Sequence, residues 1–157
     1  MAPMILVRSV LHNAGVLAVG FLVAYLGAWL DRLVGTVRFH ALVAVAAGWL
    51  LIVAGFLLRT WATCYFYQQR MQVISLVPQA TLLTSGPYRW SRNPLYLGGN
   101  VFIFFGAGLV LGSPMALVIT ALHLPLVDLF IRREEKQLAR TFGDEWLRYK
   151  RSVRRWL

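Results

Sequence analysis

Four apolar stretches separated by short polar links dominate the pattern of residues along this chain. They are Asn13–Leu30, His40–Leu58, Leu95–Leu111 and Met115–Ile131. Each approaches the length of about 20 mostly apolar residues that a membrane-spanning helix needs. The pattern predicts an all-α fold, a polytopic membrane bundle of about four transmembrane helices.

The link between the third and fourth stretches is the tripeptide Gly112-Ser113-Pro114. Because Pro favours the first position of a helix and Gly favours a turn, this link predicts an antiparallel helical hairpin. Small residues inside the stretches suit close packing between helices. The glycines in question are Gly15, Gly20, Gly27, Gly48, Gly55, Gly106 and Gly108.

Composition supports a single domain built in the bilayer. Of the 157 residues, 59% are hydrophobic and 14% are charged, whereas about 25% of a soluble domain is charged. Four spans leave no room for a separate soluble catalytic domain, so we expect residues 1–157 to form one integral membrane domain. The only cysteine, Cys64, excludes an internal disulfide framework and a multi-cysteine zinc site, and we predict no metal site.

The formal net charge of +10 is explained by where the basic residues lie along the chain. The basic residues flank the apolar stretches, as in loops that face anionic membrane lipids, which argues against a nucleic-acid partner. Fourteen of the 16 Lys and Arg residues fall on one side of the predicted membrane and two, Arg32 and Arg38, on the other. The excess predicts that both termini and the segment Arg59–Pro94 are cytoplasmic. We expect that segment to be amphipathic and interfacial.

The C-terminal segment Glu134–Leu157 has a different pattern. Apolar residues recur there at helical spacing while the remaining positions are strongly basic. The apolar positions are Leu138, Phe142, Trp146 and Tyr149. The pattern predicts an amphipathic helix that lies on the lipid headgroups or folds back over the preceding loop. Its basic residues are equally consistent with simple membrane anchoring.

Two polar clusters remain beside the predicted spans, Thr81–Gly98 and Arg132–Glu135. Both lie at the same membrane face. Backbone N–H groups where Pro94 starts a helix, together with Arg89 and Arg92, suit an anionic group, and a pair of acids suits hydroxyls or a cation. Residue chemistry alone therefore indicates a site for a zwitterionic, polyhydroxy ligand.

These clusters resemble the isoprenylcysteine carboxyl methyltransferase and phospholipid methyltransferase superfamily, integral membrane enzymes that use S-adenosylmethionine. The likeness covers about residues 80–154 and rests on four pieces in order. The pieces are Leu83-Thr84-Ser85-Gly86-Pro87-Tyr88-Arg89, Arg92-Asn93-Pro94-Leu95-Tyr96-Leu97-Gly98, Glu134-Glu135, and Phe142-Gly143-Asp144-Glu145-Trp146 with Tyr149, Val153 and Arg154.

The resemblance implies a cofactor site for S-adenosylmethionine, with S-adenosylhomocysteine as product. Residues 80–83 and Tyr88 would line the adenosine pocket, residues 93–96 would form the turn around the cofactor, and Glu134 would bind its polar groups. The implied cofactor-binding residues are Ala80, Thr81, Leu82, Leu83, Tyr88, Asn93, Pro94, Leu95, Tyr96 and Glu134. The implied substrate is lipid-like or prenylated, and it enters from the membrane.

Two departures bear on the acceptor. The prenylcysteine enzymes usually carry His where this chain has Asn93, whereas Asn-Pro-x-Tyr occurs in phospholipid N-methyltransferases. The arginine linked with substrate binding in the prenylcysteine enzymes has Arg132 and Arg133 as its nearest candidates here.

A carboxylate acceptor needs no general base, whereas an ammonium acceptor must first lose a proton. The nearby groups that could take that proton are Glu135, Asp128 and His123. Asp128 is four residues before Arg132, so a helix-end ion pair is the simpler interpretation. We expect His123 to be packed and hydrogen-bonded, and Cys64 to be a small buried residue.

Both acceptor classes stay open on these grounds, as does the oligomeric state. The alternative to an enzyme is a non-catalytic helical membrane module or inactive paralogue.

Overall fold

The computed structural model describes residues 3–71 and 81–157 and shows a helical bundle. Helix α1 spans Pro3–Val34 and α2 spans Leu42–Gln68. Helix α3 spans Pro94–Val110, and α4 spans Pro114–Ser152. The described residues contain no β-strand, so the predicted all-α class is confirmed.

Three of these helices, α1, α2 and α4, are long and apolar enough to cross a membrane, and α3 is a shorter apolar helix. The chain is therefore a multi-pass membrane protein. The predicted hairpin is also confirmed, because α3 and α4 pack together across the link: an added Cβ on Gly108 would lie 2.8 Å from the Leu117 side chain. Ser113 caps α4 by accepting a hydrogen bond from the backbone N–H of Ala116 at 3.1 Å. Pro114 occupies the first turn, where a missing N–H costs nothing.

Close backbone contact between α2 and α3 sets the centre of the bundle. An added Cβ on Gly55 would come within 2.4 Å of the Gly98 carbonyl oxygen, and one on Gly48 within 2.7 Å of the Gly106 carbonyl oxygen. Only residues without a side chain allow this approach. The predicted packing role of the glycines is thus confirmed here, but Gly15 has no neighbour within 4 Å of such a Cβ.

The first half of α3 is not regular. The helix begins as α at Pro94–Tyr96, continues as π-helix over Leu97–Ile103, and returns to α over Phe104–Val110. π-Helical turns widen the helix and are frequent at functional sites. The wide turn lies against Arg59, since an added Cβ on Gly99 would meet the Arg59 Nη1 atom at 2.7 Å.

Two predictions about the polar ends are refined by the structure. Helix α2 continues through Arg59 to Gln68, so the first ten residues of the expected interfacial segment extend the second span, while residues 72–80 lie outside the described part. Helix α4 runs on from its apolar half into the tail and turns at Gly143, whose φ of 50° and ψ of −121° are not helical. After this turn the tail folds back onto the bundle.

The fold-back buries the apolar face of the tail. Trp146 and Tyr149 join a cluster with residues of α2 and of the loop before α3. Leu138 and Phe142 pack against the same cluster. Of the two arrangements predicted for the amphipathic tail, the structure shows the one in which it covers the preceding loop.

Candidate functional site

A cleft lies at the end of the bundle where α2 ends and α3 begins. Its walls come from the end of α2, the loop after residue 81, the first turn of α3 and the α4 segment from Glu134 onward. The lining residues are Phe66, Leu82, Leu83, Tyr88, Arg92, Asn93, Pro94, Leu95, Tyr96, Glu134, Glu135, Leu138, Trp146 and Tyr149. The structure therefore brings together the two polar clusters that are separated by a helical hairpin in the sequence.

Tyr96 and Glu134 connect the two sides of the cleft. The Tyr96 hydroxyl donates a hydrogen bond of 2.8 Å to Glu134 Oε1. Glu134 follows the apolar stretch that ends at Ile131 and is exposed at the mouth of the cleft. Partial desolvation of its carboxylate by the surrounding protein nevertheless raises the pKa of Glu134, and the hydrogen bond from Tyr96 opposes that rise only in part.

Tyr88 presents an unusual hydroxyl. Its side chain is 6% exposed, and within the described part of the chain its Oη atom is buried with no hydrogen-bond partner. Burial raises the pKa of Tyr88 well above its ordinary value, so the group is a neutral donor. Its main chain is fixed, because the Tyr149 hydroxyl donates to the Tyr88 carbonyl oxygen at 2.7 Å. A buried unpaired hydroxyl is costly to the fold unless a ligand satisfies it.

Gly86 determines how the loop reaches the cleft. It has a φ of +60°, and an added Cβ would lie 2.4 Å from the Tyr65 ring. A positive φ and a ring in contact both favour glycine at this position. The next residues, Pro87 and Tyr88, are consequently directed into the interior, where both are buried.

Glu135 is in a different state from its neighbour Glu134. Arg155 donates to both of its oxygens, at 2.7 and 3.1 Å, and Arg92 donates to Oε1 at 3.0 Å. Burial alone raises the pKa of Glu135, but the hydrogen bonds from Arg155 and Arg92 outweigh it and hold the pKa below its ordinary value. A carboxylate with a lowered pKa is a weak proton acceptor.

The other groups considered as proton acceptors are also engaged. Asp128 accepts from Arg132 Nε at 2.6 Å and from Arg155 Nη1 at 3.1 Å, which confirms the predicted helix-end ion pair. His123 makes a 3.0 Å hydrogen bond with Asn100 Oδ1 and stacks on Phe104, as expected for a packed histidine.

Two predicted substrate arginines do not reach the cleft. Arg132 is exposed and bound to Asp128, and the exposed Arg133 guanidinium lies 5.9 Å from the centre of the Phe130 ring. Of the predicted adenosine-pocket residues, Leu82 and Leu83 line the cleft, Thr81 is exposed and does not, and Ala80 lies outside the described residues.

Arg59 is the residue that sequence reasoning missed. It is 7% exposed, donates from Nε to Asn13 Oδ1 at 2.8 Å, and donates from Nη1 to the carbonyl oxygen of Leu95, a cleft residue. No carboxylate pairs with it in the described part of the chain. Because Leu95 lines the cleft and Arg59 does not, the guanidinium lies just behind the cleft. The available signal was an arginine directly after an apolar stretch.

The aromatic wall of the cleft was only partly predicted. Trp146 and Tyr149 belong to the apolar face of the tail, which the sequence shows, whereas the place of Phe66 near the end of α2 has no sequence signal. The lining combines rings and leucines with ionisable groups, and the Arg92 guanidinium lies 5.8 Å from the centre of the Trp146 ring. The cleft therefore offers both apolar and polar contacts.

Comparison with known proteins identifies the family. The family model described as phospholipid methyltransferase matches residues 43–145. The chain belongs to the phospholipid methyltransferase family. This confirms the superfamily resemblance. The matched region begins in α2 and ends just before Trp146, so α1 and the folded-back end of the tail lie outside it.

Three curated relatives are similar to parts of the chain. Each is named protein-S-isoprenylcysteine O-methyltransferase. The rat protein is 31% identical over 143 residues, 85% of this chain and 49% of the relative. The Saccharomyces cerevisiae protein is 40% identical over 75 residues, 46% of this chain and 30% of the relative, and the Xenopus laevis protein is 36% identical over 74 residues, 46% and 25%. The chain thus spans at most about half the length of these relatives. No solved structure matches.

Proposed function

We propose that this chain is an S-adenosylmethionine-dependent membrane methyltransferase that acts on a lipid-like acceptor carrying a carboxylate. The carrying observation is the cleft itself, which combines an unpaired buried hydroxyl, a glutamate and an apolar lining. Behind it lies Arg59, which has no carboxylate partner among the described residues. Family membership supports methyl transfer, and the names of the three relatives support a carboxyl acceptor.

The residues present fit the cofactor. Leu82, Leu83 and Trp146 offer an apolar surface for an adenine ring, while Tyr88 offers a free donor and Glu134 an acceptor for hydroxyl or ammonium groups. We assign Asn93, Pro94, Leu95 and Tyr96 to the turn around the cofactor. Bound S-adenosylmethionine supplies an electrophilic methyl group on a sulfonium centre.

Arg59 favours an acid over an amine as acceptor. A buried guanidinium without a carboxylate partner attracts an anionic group and repels a lipid ammonium. In this account Arg59 binds and orients the acceptor carboxylate, and the apolar wall excludes water from the attacking oxygen. We prefer Arg59 to Arg132 and Arg133 for this role, because those two side chains are exposed, whereas Arg59 is buried and donates to the carbonyl oxygen of the cleft residue Leu95.

The lack of a free general base among the described candidate residues also favours a carboxylate acceptor. Deprotonating an ammonium acceptor needs a base, and the candidates Glu135, Asp128 and His123 are held by arginines or by Asn100. A carboxylate acceptor is already ionised at neutral pH and needs none. We therefore assign Glu135 to holding the site in shape and not to proton transfer.

The distribution of basic residues supports a membrane orientation for the cleft. Because 14 of 16 Lys and Arg residues lie on the side of the cleft in the predicted topology, we propose that the cleft opens at the cytoplasmic face. The acceptor then reaches it sideways from the inner leaflet.

The experiment is incubation of the purified protein with methyl-labelled S-adenosylmethionine and two acceptors, a prenylated cysteine and phosphatidylethanolamine. We expect label in the prenylated cysteine, released as volatile methanol by alkali because it is a methyl ester. Alkali-stable label in the phospholipid would replace this acceptor with an amine. Absence of label in both, and in a membrane lipid extract, would favour the non-catalytic alternative.

A further inference from the structure

The last five residues of the chain, 153–157, leave α4 and lie across residues 91–93. We call residues 153–157 the C-terminal strap. Its carbonyl oxygens accept hydrogen bonds from the turn that enters α3. The bonds are Arg92 Nη1 to Val153 O at 2.6 Å, Arg92 N to Arg154 O at 3.0 Å, Asn93 Nδ2 to Arg155 O at 3.1 Å and Ser91 Oγ to Arg155 O at 3.2 Å. The strap therefore holds the turn by its main chain.

One side chain of the strap holds α4 as well. The Arg155 guanidinium donates three hydrogen bonds, two to Glu135 at 2.7 and 3.1 Å and one to Asp128 at 3.1 Å. Glu135 is held from its other side by Arg92, at 3.0 Å. Arg155 thus closes a ring of contacts that runs from the strap through Glu135 and Arg92 and back to the strap.

Arg155 differs in this respect from the other basic residues of the tail. Arg148, Arg151 and Arg154 are exposed, whereas the Arg155 side chain is 25% exposed and makes two ion pairs. An exposed arginine beside a membrane is explained by lipid headgroups. Membrane anchoring does not explain a guanidinium directed inward at two acids, and a planar fork of donors is suited to bridging carboxylates.

We propose that Arg155 is a positioning residue for the cofactor site. It does not line the cleft, but it fixes the carboxylate of Glu135, and its carbonyl oxygen fixes Asn93, both of which do line it. The assignment rests on the proposed cofactor site. Without the Arg155 side chain, Glu135 keeps a single partner, Arg92, and the strap loses its side-chain link to Glu135 and Asp128 of α4. The Glu135 carboxylate and the turn held by the strap are then fixed less firmly relative to one another.

The test compares Arg155→Ala and Arg155→Lys with the adjacent control Arg154→Ala, which keeps the same strap carbonyl and loses only an exposed side chain. S-adenosylhomocysteine binding is measured by calorimetry, and the KM values for cofactor and acceptor are measured separately. We expect Arg155→Ala to weaken binding and raise the cofactor KM by about tenfold or more. The acceptor KM should change less than about twofold. Arg155→Lys should recover part of the loss, and Arg154→Ala should match the unchanged protein.

The outcomes separate the two proposals. If the unchanged protein binds no S-adenosylhomocysteine, the cofactor site itself is wrong, and the role of Arg155 falls with it. If the unchanged protein binds and both Arg155 variants bind equally well, only the role of Arg155 is overturned. A parallel rise in both KM values with a lowered melting temperature would make Arg155 a stability residue and would also overturn the assignment.

A double variant checks the route through Glu135. If Arg155 acts by holding that carboxylate, adding Arg155→Ala to Glu135→Gln should weaken cofactor binding by clearly less than Arg155→Ala does alone. Fully additive losses would show that Arg155 does not act through Glu135.

Discussion

The two ends of the bundle treat their buried polar groups in opposite ways. At the end away from the cleft, Asp31 is 1% exposed and accepts from Ser113 Oγ at 2.5 Å and from the Met115 N–H at 3.1 Å. Ser113 in turn caps α4. At the cleft, the Tyr88 hydroxyl has no partner among the described residues, and Arg59 has no carboxylate.

The difference separates structure from function. A buried polar cluster whose groups satisfy one another stabilises the fold and needs nothing else. A buried cluster with groups left over costs stability and is retained where a ligand completes it. The Asp31 cluster fastens the α3–α4 hairpin to α1, whereas the unsatisfied groups at the cleft support our proposal that the cleft is the binding site.

The largest expected effect is that of Glu134→Ala. Removing a carboxylate that we assign to the cofactor should lower turnover about 100-fold or more while the protein stays folded. The matched variant Asp31→Asn should do the reverse, lowering the stability by about 1–3 kcal/mol with little change in turnover per folded molecule. Turnover assays and thermal melts of both proteins check this. Similar activity losses in both variants would contradict the claim that the cleft serves function and the Asp31 cluster serves stability.

Tyr88→Phe sharpens the comparison at a single atom. It keeps the packed ring, whereas Tyr88→Ala would leave a cavity in the cluster of Trp146 and Tyr149. We expect about tenfold weaker cofactor binding, the value of one hydrogen bond, with stability unchanged or slightly increased. Isothermal titration and a melting curve measure the two quantities. Unchanged binding would mean that the hydroxyl has no ligand.

The pH dependence of cofactor binding is expected to be smaller. Because the pKa of Glu134 is raised by burial, the side chain becomes neutral at a higher pH than an ordinary glutamate does as the solution is acidified. If its charged form binds the cofactor, the affinity should fall several-fold as the pH is lowered through that raised pKa. Glu134→Gln, titrated over the same pH range, should lose this step. A wild-type profile flat down to the ordinary glutamate range would count against a role for the charge.

Arg151→Ala should have the smallest effect. Arg151 is exposed, and its Nε atom contacts only the Leu147 carbonyl oxygen of its own helix, at 3.3 Å, among the contacts described. We expect activity in proteoliposomes within about twofold of the unchanged protein, since an exposed charge contributes little. A large loss of activity in Arg151→Ala would show that the basic residues of the tail contribute to the reaction and not only to membrane anchoring.

The sequence is sufficient for the number and order of the helices and for the link between α3 and α4, because length, apolar content and the Gly112-Ser113-Pro114 turn act locally. It does not predict that α2 runs on to Gln68 or that α3 is π-helical over Leu97–Ile103. It also predicts Tyr88, Tyr96 and Glu134 as site residues through the family resemblance. The structure adds that these three residues share one cleft.

Arg59 and Arg155 show what the sequence conceals. Arg59 has the appearance of a charge that ends a membrane span, but its partners Asn13 and Leu95 are 46 and 36 positions away. Arg155 has the same local appearance as Arg151, but it binds Glu135, 20 positions away. Burial of a charge depends on such distant partners, so no local pattern distinguishes an inward arginine from an exposed one.

The most direct test of the account is a calorimetric titration of S-adenosylhomocysteine into the purified protein, with Glu134→Ala and Asp31→Asn beside it. We predict saturable binding at one site per chain, lost or strongly weakened in Glu134→Ala and retained in folded Asp31→Asn. A folded protein that shows no binding, or equal affinity in all three, would contradict the assignment of the cleft as a cofactor site.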